Sequence, residues 1–222
     1  MSGPPVPAKD NAMFFYGSLM APCVLFSKIH GCSEPYSHQV RNLQFHGALL
    51  SDFSRHQLPD VVYPGITANP GKEVHGTLVT GLTNRDVLKL DVYESWDYDR
   101  VKVKVRVLER GGKTGGDGDP LDSEDSQGSS GEESDGDSLK GEQDKGSLAG
   151  EEVVECWVYL YNKPAKILEG SEWDFREFCQ VKMPGWFGPG VVMYSDEDVE
   201  DILYGRWKPR EVYSNVMLPA QI

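Results

Sequence analysis

Long apolar runs are absent from this chain of 222 residues, although 39% of its residues are hydrophobic. No stretch approaches the roughly 20 consecutive apolar residues that a membrane-spanning helix needs, so no membrane segment is expected. The start of the chain lacks the apolar core of a secretory signal, and no Asn-x-Ser/Thr acceptor for N-glycosylation occurs. These absences predict a protein of the cytoplasm or the nucleus.

Cysteine is scarce as well, with four in the whole chain. Their spacing forms neither a disulfide framework nor a Cys-x-x-Cys pair, which favours reduced thiols. The five histidines do not combine with the cysteines at the spacing of a zinc site, and the Gly-x-Ser-x-Gly elbow of a serine hydrolase is missing. The sequence therefore predicts no metal site and no serine nucleophile.

Basic residues are few, since 22 Lys and Arg stand against 35 Asp and Glu and give a formal net charge of −13. Most of this charge lies in residues 111–152, which contain 11 Gly, 7 Ser and 13 acids but only 3 Lys. Such a segment cannot bury enough apolar surface to offset its ordering entropy, which predicts a long disordered acidic insertion. Because Ser129, Ser130 and Ser134 each precede an acid by three residues, the insertion suggests a protein kinase or another protein as its partner.

Outside the insertion the chain is nearly neutral, and its only basic stripe is the strand face of Lys102 and Lys104. Nucleic acid is therefore not an expected partner, because its binding rests on many Lys and Arg contacts to phosphate. Residues 12–222 are predicted to form a single domain that the insertion interrupts, after a flexible N-terminus of residues 1–11. The sequence leaves the oligomeric state open.

Apolar periodicity predicts an α+β fold. Strands are expected at residues 13–16, 39–50, 73–80, 100–107 and 153–161, and the last two predict a hairpin with the insertion as its loop. One helix is expected from Pro22, and three more begin at capping boxes, in which a Ser or Thr precedes an acid by three residues. The boxes are Thr83 with Asp86, Ser171 with Asp174, and Ser195 with Asp198. These elements predict a curved, barrel-like mixed sheet with helices packed on it.

Two local patterns could carry chemistry. Tyr16-Gly17-Ser18-Leu19 stands where a strand meets a helix, and unpaired backbone N–H groups at such a junction receive a carboxylate or a developing oxyanion, although a glycine there often serves the turn alone. Glu94 shares a helix face with the core-directed Val87 and Leu90. It either pairs with Arg100, turns to solvent, or stays desolvated with a raised pKa, which is the state that a general base requires.

Together the two patterns resemble the gamma-glutamylcyclotransferase superfamily, and most closely its plant and fungal branch of avirulence-induced-gene-like proteins. The Tyr16–Leu19 tetrapeptide looks like the family's opening motif, and Leu90-Asp91-Val92-Tyr93-Glu94 resembles its Leu-Asp-x-x-Glu motif. Tyr98-Asp99-Arg100 matches the Tyr-x-Arg that follows, and Glu172-Trp173-Asp174-Phe175 is similar to a helix of that branch. Ser95 departs from the pattern, because many relatives have Gly after the glutamate.

The resemblance implies a gamma-glutamylcyclotransferase-like small mixed β-barrel with flanking helices, whose cavity holds a small-molecule gamma-glutamyl substrate. It implies release of 5-oxoproline and a free amine, with Glu94 as the catalytic acid and base and with neither metal nor cofactor. The substrate-binding residues, acting through backbone groups, would be Tyr16, Gly17, Ser18, Leu19, Met20 and Ala21. Loops at 52–69 and 182–189 are expected to select the leaving amine. Two alternatives stay open: a non-catalytic member of the fold that binds a metabolite or partner, and a transferase of gamma-glutamyl or acyl groups to amines.

Overall fold

The computed structural model describes residues 11–108, 152–163, 171–187 and 193–208. Apart from Asn11 and Glu152 at their edges, the predicted flexible N-terminus and the predicted disordered insertion lie outside the described residues. The domain boundaries therefore stay a prediction.

Within these ranges the chain forms five strands and six helices. The strands are Met13–Phe15 (β1), Gln44–Gln57 (β2), Pro64–Thr80 (β3), Tyr98–Val107 (β4) and Val153–Tyr161 (β5). The helices are Pro22–Ile29 (α1), Ser37–Val40 (α2), Asn84–Glu94 (α3), Phe175–Glu177 (α4), Met183–Phe187 (α5) and Asp196–Leu203 (α6). Two 3₁₀ turns occupy Ser18–Met20 and Ser95–Asp97, and a π turn at Phe178–Lys182 joins α4 to α5. None of the helices in the described ranges is long and apolar enough to cross a membrane.

The five strands close into a barrel in the order β1-β3-β2-β4-β5. Met13 of β1 lies parallel to Trp157 of β5 and closes the barrel, whereas the other neighbouring pairs are antiparallel. The predicted α+β fold with a small mixed barrel and flanking helices is confirmed. The antiparallel register of β4 and β5 also confirms that these strands, which border the insertion in sequence, pair with each other.

Two apolar clusters hold the barrel and its helices together, and β1 contributes to both. Phe14 packs with Leu78 and other strand residues in one cluster, while Met13 and Phe15 pack with residues of α1 and α3 in the other. This division follows from the strand geometry, because successive side chains point to opposite faces. Phe14, Met13 and Phe15 are each at most 3% exposed, so β1 and the turn that follows it are fixed from both sides.

Two of the three predicted capping boxes are confirmed. The hydroxyls of Thr83 and Ser195 accept from the N–H groups of Asp86 and Asp198, and these boxes begin α3 and α6. The third prediction is wrong, because Asp174 caps α4 by accepting from the N–H of Glu177 at 2.6 Å. Ser171 lies three residues before this cap, and its backbone carbonyl accepts from the N–H of Gln57 at 2.9 Å.

The hairpin of β2 and β3 is longer than predicted. Residues 39–50 are not one strand, because 37–40 form α2 and β2 begins at Gln44, and β3 begins nine residues before the predicted start at 73. Most of the predicted loop at 52–69 therefore belongs to two paired strands, which continue past a bulge between Ser51 and Phe53. Residues 182–187 are helical as well, while 188 and 189 lie outside the described residues.

Candidate active site

The turn after β1 leaves three backbone amides free. The N–H groups of Met20 and Ala21 donate to the carbonyls of Gly17 and Ser18 at 2.9 and 3.1 Å and close the 3₁₀ turn. No acceptor for the N–H groups of Gly17, Ser18 and Leu19 is found among the described residues. These three residues line a cavity of about 150 Å³, and amides without an internal acceptor at such a turn can receive an anionic or carbonyl oxygen of a ligand.

Glu94 lies on the wall of the same cavity. It is the last residue of α3, whose inner face buries Val87 and Leu90, and its side chain is partly buried. In the described part of the chain its carboxyl group meets no ion-pair or hydrogen-bond partner, because Arg100 binds Asp91 instead at 3.0 Å. Burial consequently raises the pKa of Glu94 from 4.5 to about 8.

The chain turns sharply directly after Glu94. Ser95 has a φ of 55° and a ψ of −145°, a conformation that glycine adopts far more readily than residues with a Cβ atom. It follows that Gly would fit this position without strain, which accounts for the glycine that many relatives of the resembled family have there. The strained residue ends α3 and places the Glu94 carboxyl group at the cavity.

Aromatic side chains form most of the remaining wall: Tyr63, Tyr93, Tyr98, Tyr159 and Trp186. The hydroxyl of Tyr98 donates to the carbonyl of Pro64 at 2.9 Å, and that of Tyr159 donates to Asp91 at 2.9 Å. Burial, and after it the charge of Glu94, raises the pKa of Tyr93, while burial followed by the charges of Tyr16 and Glu94 raises the pKa of Tyr98. These phenols are therefore neutral near pH 7 and act as hydrogen-bond donors or apolar walls rather than as bases.

A single ammonium group lies against two of these rings. The Nζ atom of Lys28, on α1, is 4.3 Å from the ring centroid of Tyr93 and 5.4 Å from that of Trp186. Over the ranges that the structure describes, Lys28 has no carboxylate partner, and burial lowers its pKa. Cation–π contact holds the charge at this position without neutralising it.

The structure brings the predicted residues Tyr16, Gly17, Ser18, Leu19 and Glu94 to one cavity. Met20 and Ala21 are fully buried and do not line it, so their assignment to the substrate stays a prediction. The phenol of Tyr16 donates to the carbonyl of Tyr159 at 2.7 Å, and the backbone carbonyl of Tyr16 accepts from Arg55 at 3.1 Å.

Tyr63 and Pro64 lie in the range 52–69, and Trp186 lies in the range 182–189, which the sequence predicted to select the leaving amine, and all three line the cavity. Sequence reasoning did not single out Tyr159 or Lys28 as residues of the site. Tyr98 was noted only as part of the Tyr-x-Arg motif of the resembled family. No local pattern shows which of these side chains meet at the cavity, because they come from segments that are distant in sequence. For metals, the described residues contain no group of three His, Cys, Asp or Glu side chains that could hold an ion.

Comparison with known proteins identifies a family for this chain. Residues 13–123 match the model of the family described as gamma-glutamyl cyclotransferase, AIG2-like, which is half of the chain. AIG2-like protein B of Arabidopsis thaliana is 32% identical over 105 residues, which cover 47% of this chain and 55% of that protein. AIG2-like protein C of the same plant is 31% identical over 97 residues, or 44% of this chain and 51% of that protein. The chain thus spans about half the length of the curated relatives it matches.

Among solved structures, the solution structure of an Arabidopsis thaliana protein aligns with this chain at 20% identity and a TM-score of 0.45. The alignment covers 84% of this chain and 81% of the Arabidopsis chain.

Proposed function

Because the chain belongs to the gamma-glutamyl cyclotransferase, AIG2-like family, we propose that it converts a gamma-glutamyl amine or peptide to 5-oxoproline and a free amine. One observation carries this proposal: the desolvated carboxyl group of Glu94 shares a small cavity with the free amides of Gly17, Ser18 and Leu19. A proton acceptor and a set of oxyanion donors at one cavity are what ring closure on a carbonyl requires.

The proposed reaction is intramolecular. The α-amine nitrogen of the glutamyl group attacks its own γ-carbonyl carbon, a new C–N bond forms, and the C–N bond to the leaving amine breaks. The enzyme mainly has to hold the substrate in the ring-closing conformation and stabilise the oxygen that gains negative charge. In this proposal the Gly17–Leu19 amides receive an oxygen of the substrate, either the developing oxyanion or the α-carboxylate.

Glu94 is proposed to handle the proton. The substrate amine must lose a proton before it can attack, and an α-ammonium group beside a free carboxylate is a weaker acid than a chain N-terminus, whose pKa is about 8. Burial raises the pKa of Glu94 to about 8, which makes it a much better match as proton acceptor for this ammonium than an ordinary carboxylate would be. The protonated carboxyl group then gives its proton to the leaving nitrogen. The emptied carboxylate takes the second proton from the new ring nitrogen and passes it to the released amine or to water, which returns Glu94 to its starting state.

Product analysis tests the proposal. The purified protein is incubated with gamma-glutamyl amines, amino acids and peptides, with and without an added acceptor amine, and the products are separated by mass. We expect 5-oxoproline and the free amine in equal amounts. A gamma-glutamyl group transferred intact to the acceptor, without ring closure, would contradict the proposal in favour of an amine transferase. Binding without any product would favour a non-catalytic member of the fold.

A further inference from the structure

Arg55 is an unusual residue in β2, because its guanidinium group is placed where a charge is expensive. Its side chain is only 11% exposed, and the nearest carboxylate, that of Glu172, is 3.8 Å away on a side chain that is 79% exposed. So exposed a carboxylate compensates little of the cost of burying a charge. The guanidinium instead lies 5.3 Å from the ring centroid of Trp173.

The hydrogen bonds of Arg55 converge on the start of the candidate active site. Its Nη1 atom donates to the carbonyl of Tyr16 at 3.1 Å and to the carbonyl of His75 at 3.2 Å. The pairing of β1 with β3 ends at Phe15 opposite Thr77, so Tyr16 lies just past the last ladder pair. The side chain of Arg55 therefore continues the link between these two segments where strand pairing stops.

Holding the Tyr16 carbonyl has a geometric consequence for the next residue. The peptide bond between Tyr16 and Gly17 is trans, because the described residues contain no cis peptide. In a planar trans peptide the C=O and the following N–H point in opposite directions. A donor fixed on the Tyr16 carbonyl therefore aims the Gly17 N–H away from Arg55, and Gly17 lines the cavity.

The other side of Gly17 offers no room for a compensating movement. A Cβ atom built on Gly17 would meet Cδ of Pro64 at 2.7 Å, and the hydroxyl of Tyr98 binds the Pro64 carbonyl. The Gly17 backbone is thus confined between Pro64 and the guanidinium that fixes its peptide plane.

We propose that Arg55 is a positioning residue, which holds the Tyr16–Gly17 peptide so that the Gly17 N–H faces the bound gamma-glutamyl group. The inference rests on the proposed function for the identity of that ligand. It does not make Arg55 a catalytic residue, because its contacts are to backbone carbonyls behind the cavity wall.

The test compares Arg55→Met and Arg55→Lys with a matched control, Glu172→Gln. Arg55→Met removes every donor, Arg55→Lys keeps one charged donor, and Glu172→Gln removes only the exposed carboxylate beside the same guanidinium. The first measurement is the residual dipolar coupling of the Gly17 N–H in the free protein, which reports the orientation of that bond. The second is kcat and KM for 5-oxoproline release, corrected for the folded fraction.

We expect Arg55→Met to change the Gly17 coupling and to lower kcat/KM about 10²-fold, as misplacing one oxyanion donor does. Arg55→Lys should fall between this variant and the wild type, and Glu172→Gln should match the wild type in both measurements. Arg55→Lys decides the question if Arg55→Met does not fold.

An unchanged Gly17 coupling in the Arg55 variants would overturn the proposal, whatever the kinetics show. Unchanged kinetics in an active protein would overturn it as well and leave the proposed function intact. If the wild type releases no 5-oxoproline, the proposed function fails, and the Gly17 coupling alone then decides the role of Arg55.

Discussion

Replacing Glu94 with Gln should stabilise the folded protein, and the gain should grow with pH. Burial raises the pKa of Glu94 from 4.5 to about 8, so the native state keeps a proton that the unfolded chain has released. Between these two values the folded protein binds more protons than the unfolded chain, and the Glu94 contribution to stability is therefore lost as the pH rises through this window. Gln does not titrate, so the variant does not lose stability in this pH window.

The magnitude follows from the width of the window. Each pH unit between the two pKa values corresponds to about 1.4 kcal/mol. The wild type should lose about 3 kcal/mol between pH 4.5 and pH 7, and about 5 kcal/mol once the pH exceeds the native pKa of about 8. The free energy of unfolding of Glu94→Gln minus that of the wild type should be near zero at pH 4.5 and should rise by these amounts.

Urea unfolding of both proteins at several pH values from 5 to 9 measures this difference directly. Taking the difference removes every other titrating group that the two proteins share. Glu155→Gln serves as the control, because Glu155 is exposed and pairs with Lys102 at the surface. Its difference from wild type should stay small and nearly flat. If the Glu94→Gln difference is equally flat, the carboxyl group is not desolvated and the reasoning fails.

Three further predictions concern the neighbours of Glu94. Ser95→Gly should raise the melting temperature by about 3 °C in calorimetry, because it relieves strain at a φ of 55°, and a lower value would contradict this. Gly17→Ala should reduce kcat/KM about 10²-fold, because the new Cβ atom would lie only 2.7 Å from Cδ of Pro64 and would force the cavity wall to shift. The circular dichroism spectrum should stay native, and full activity would refute the tight fit. Lys28→Met should lower kcat/KM about 10-fold for gamma-glutamyl compounds whose leaving amine carries a carboxylate. Compounds with an uncharged amine should react as before, and an equal loss for both kinds would argue against charge selection by Lys28.

The elements that could be predicted from the sequence are those whose cause is local. Alternating apolar residues mark β4, and the Thr83 and Ser195 boxes mark helix starts, because both signals are complete within a few residues. Glu94 could be placed toward the core because its helix face also carries Leu90.

The features that escaped prediction depend on partners far along the chain. The second half of β2 is polar and lacks alternation, so its strand character comes from pairing with β3. Arg55 is one basic residue in that polar stretch, and its bond to the Tyr16 carbonyl spans 39 positions. The Ser171 pattern misled for another reason, because the helix begins three residues later and Asp174 is its cap.

The most direct test of the proposed chemistry is the rate of 5-oxoproline release by Glu94→Gln. The substitution keeps the shape of the side chain and removes its basicity. The initial rate is measured at pH 8 with one gamma-glutamyl compound that the wild type cleaves, next to Glu155→Gln as the control. We predict a loss of about 10²- to 10⁴-fold for Glu94→Gln and an unchanged rate for Glu155→Gln. A Glu94→Gln protein that releases 5-oxoproline at the wild-type rate would contradict the assignment of Glu94 as the acid and base.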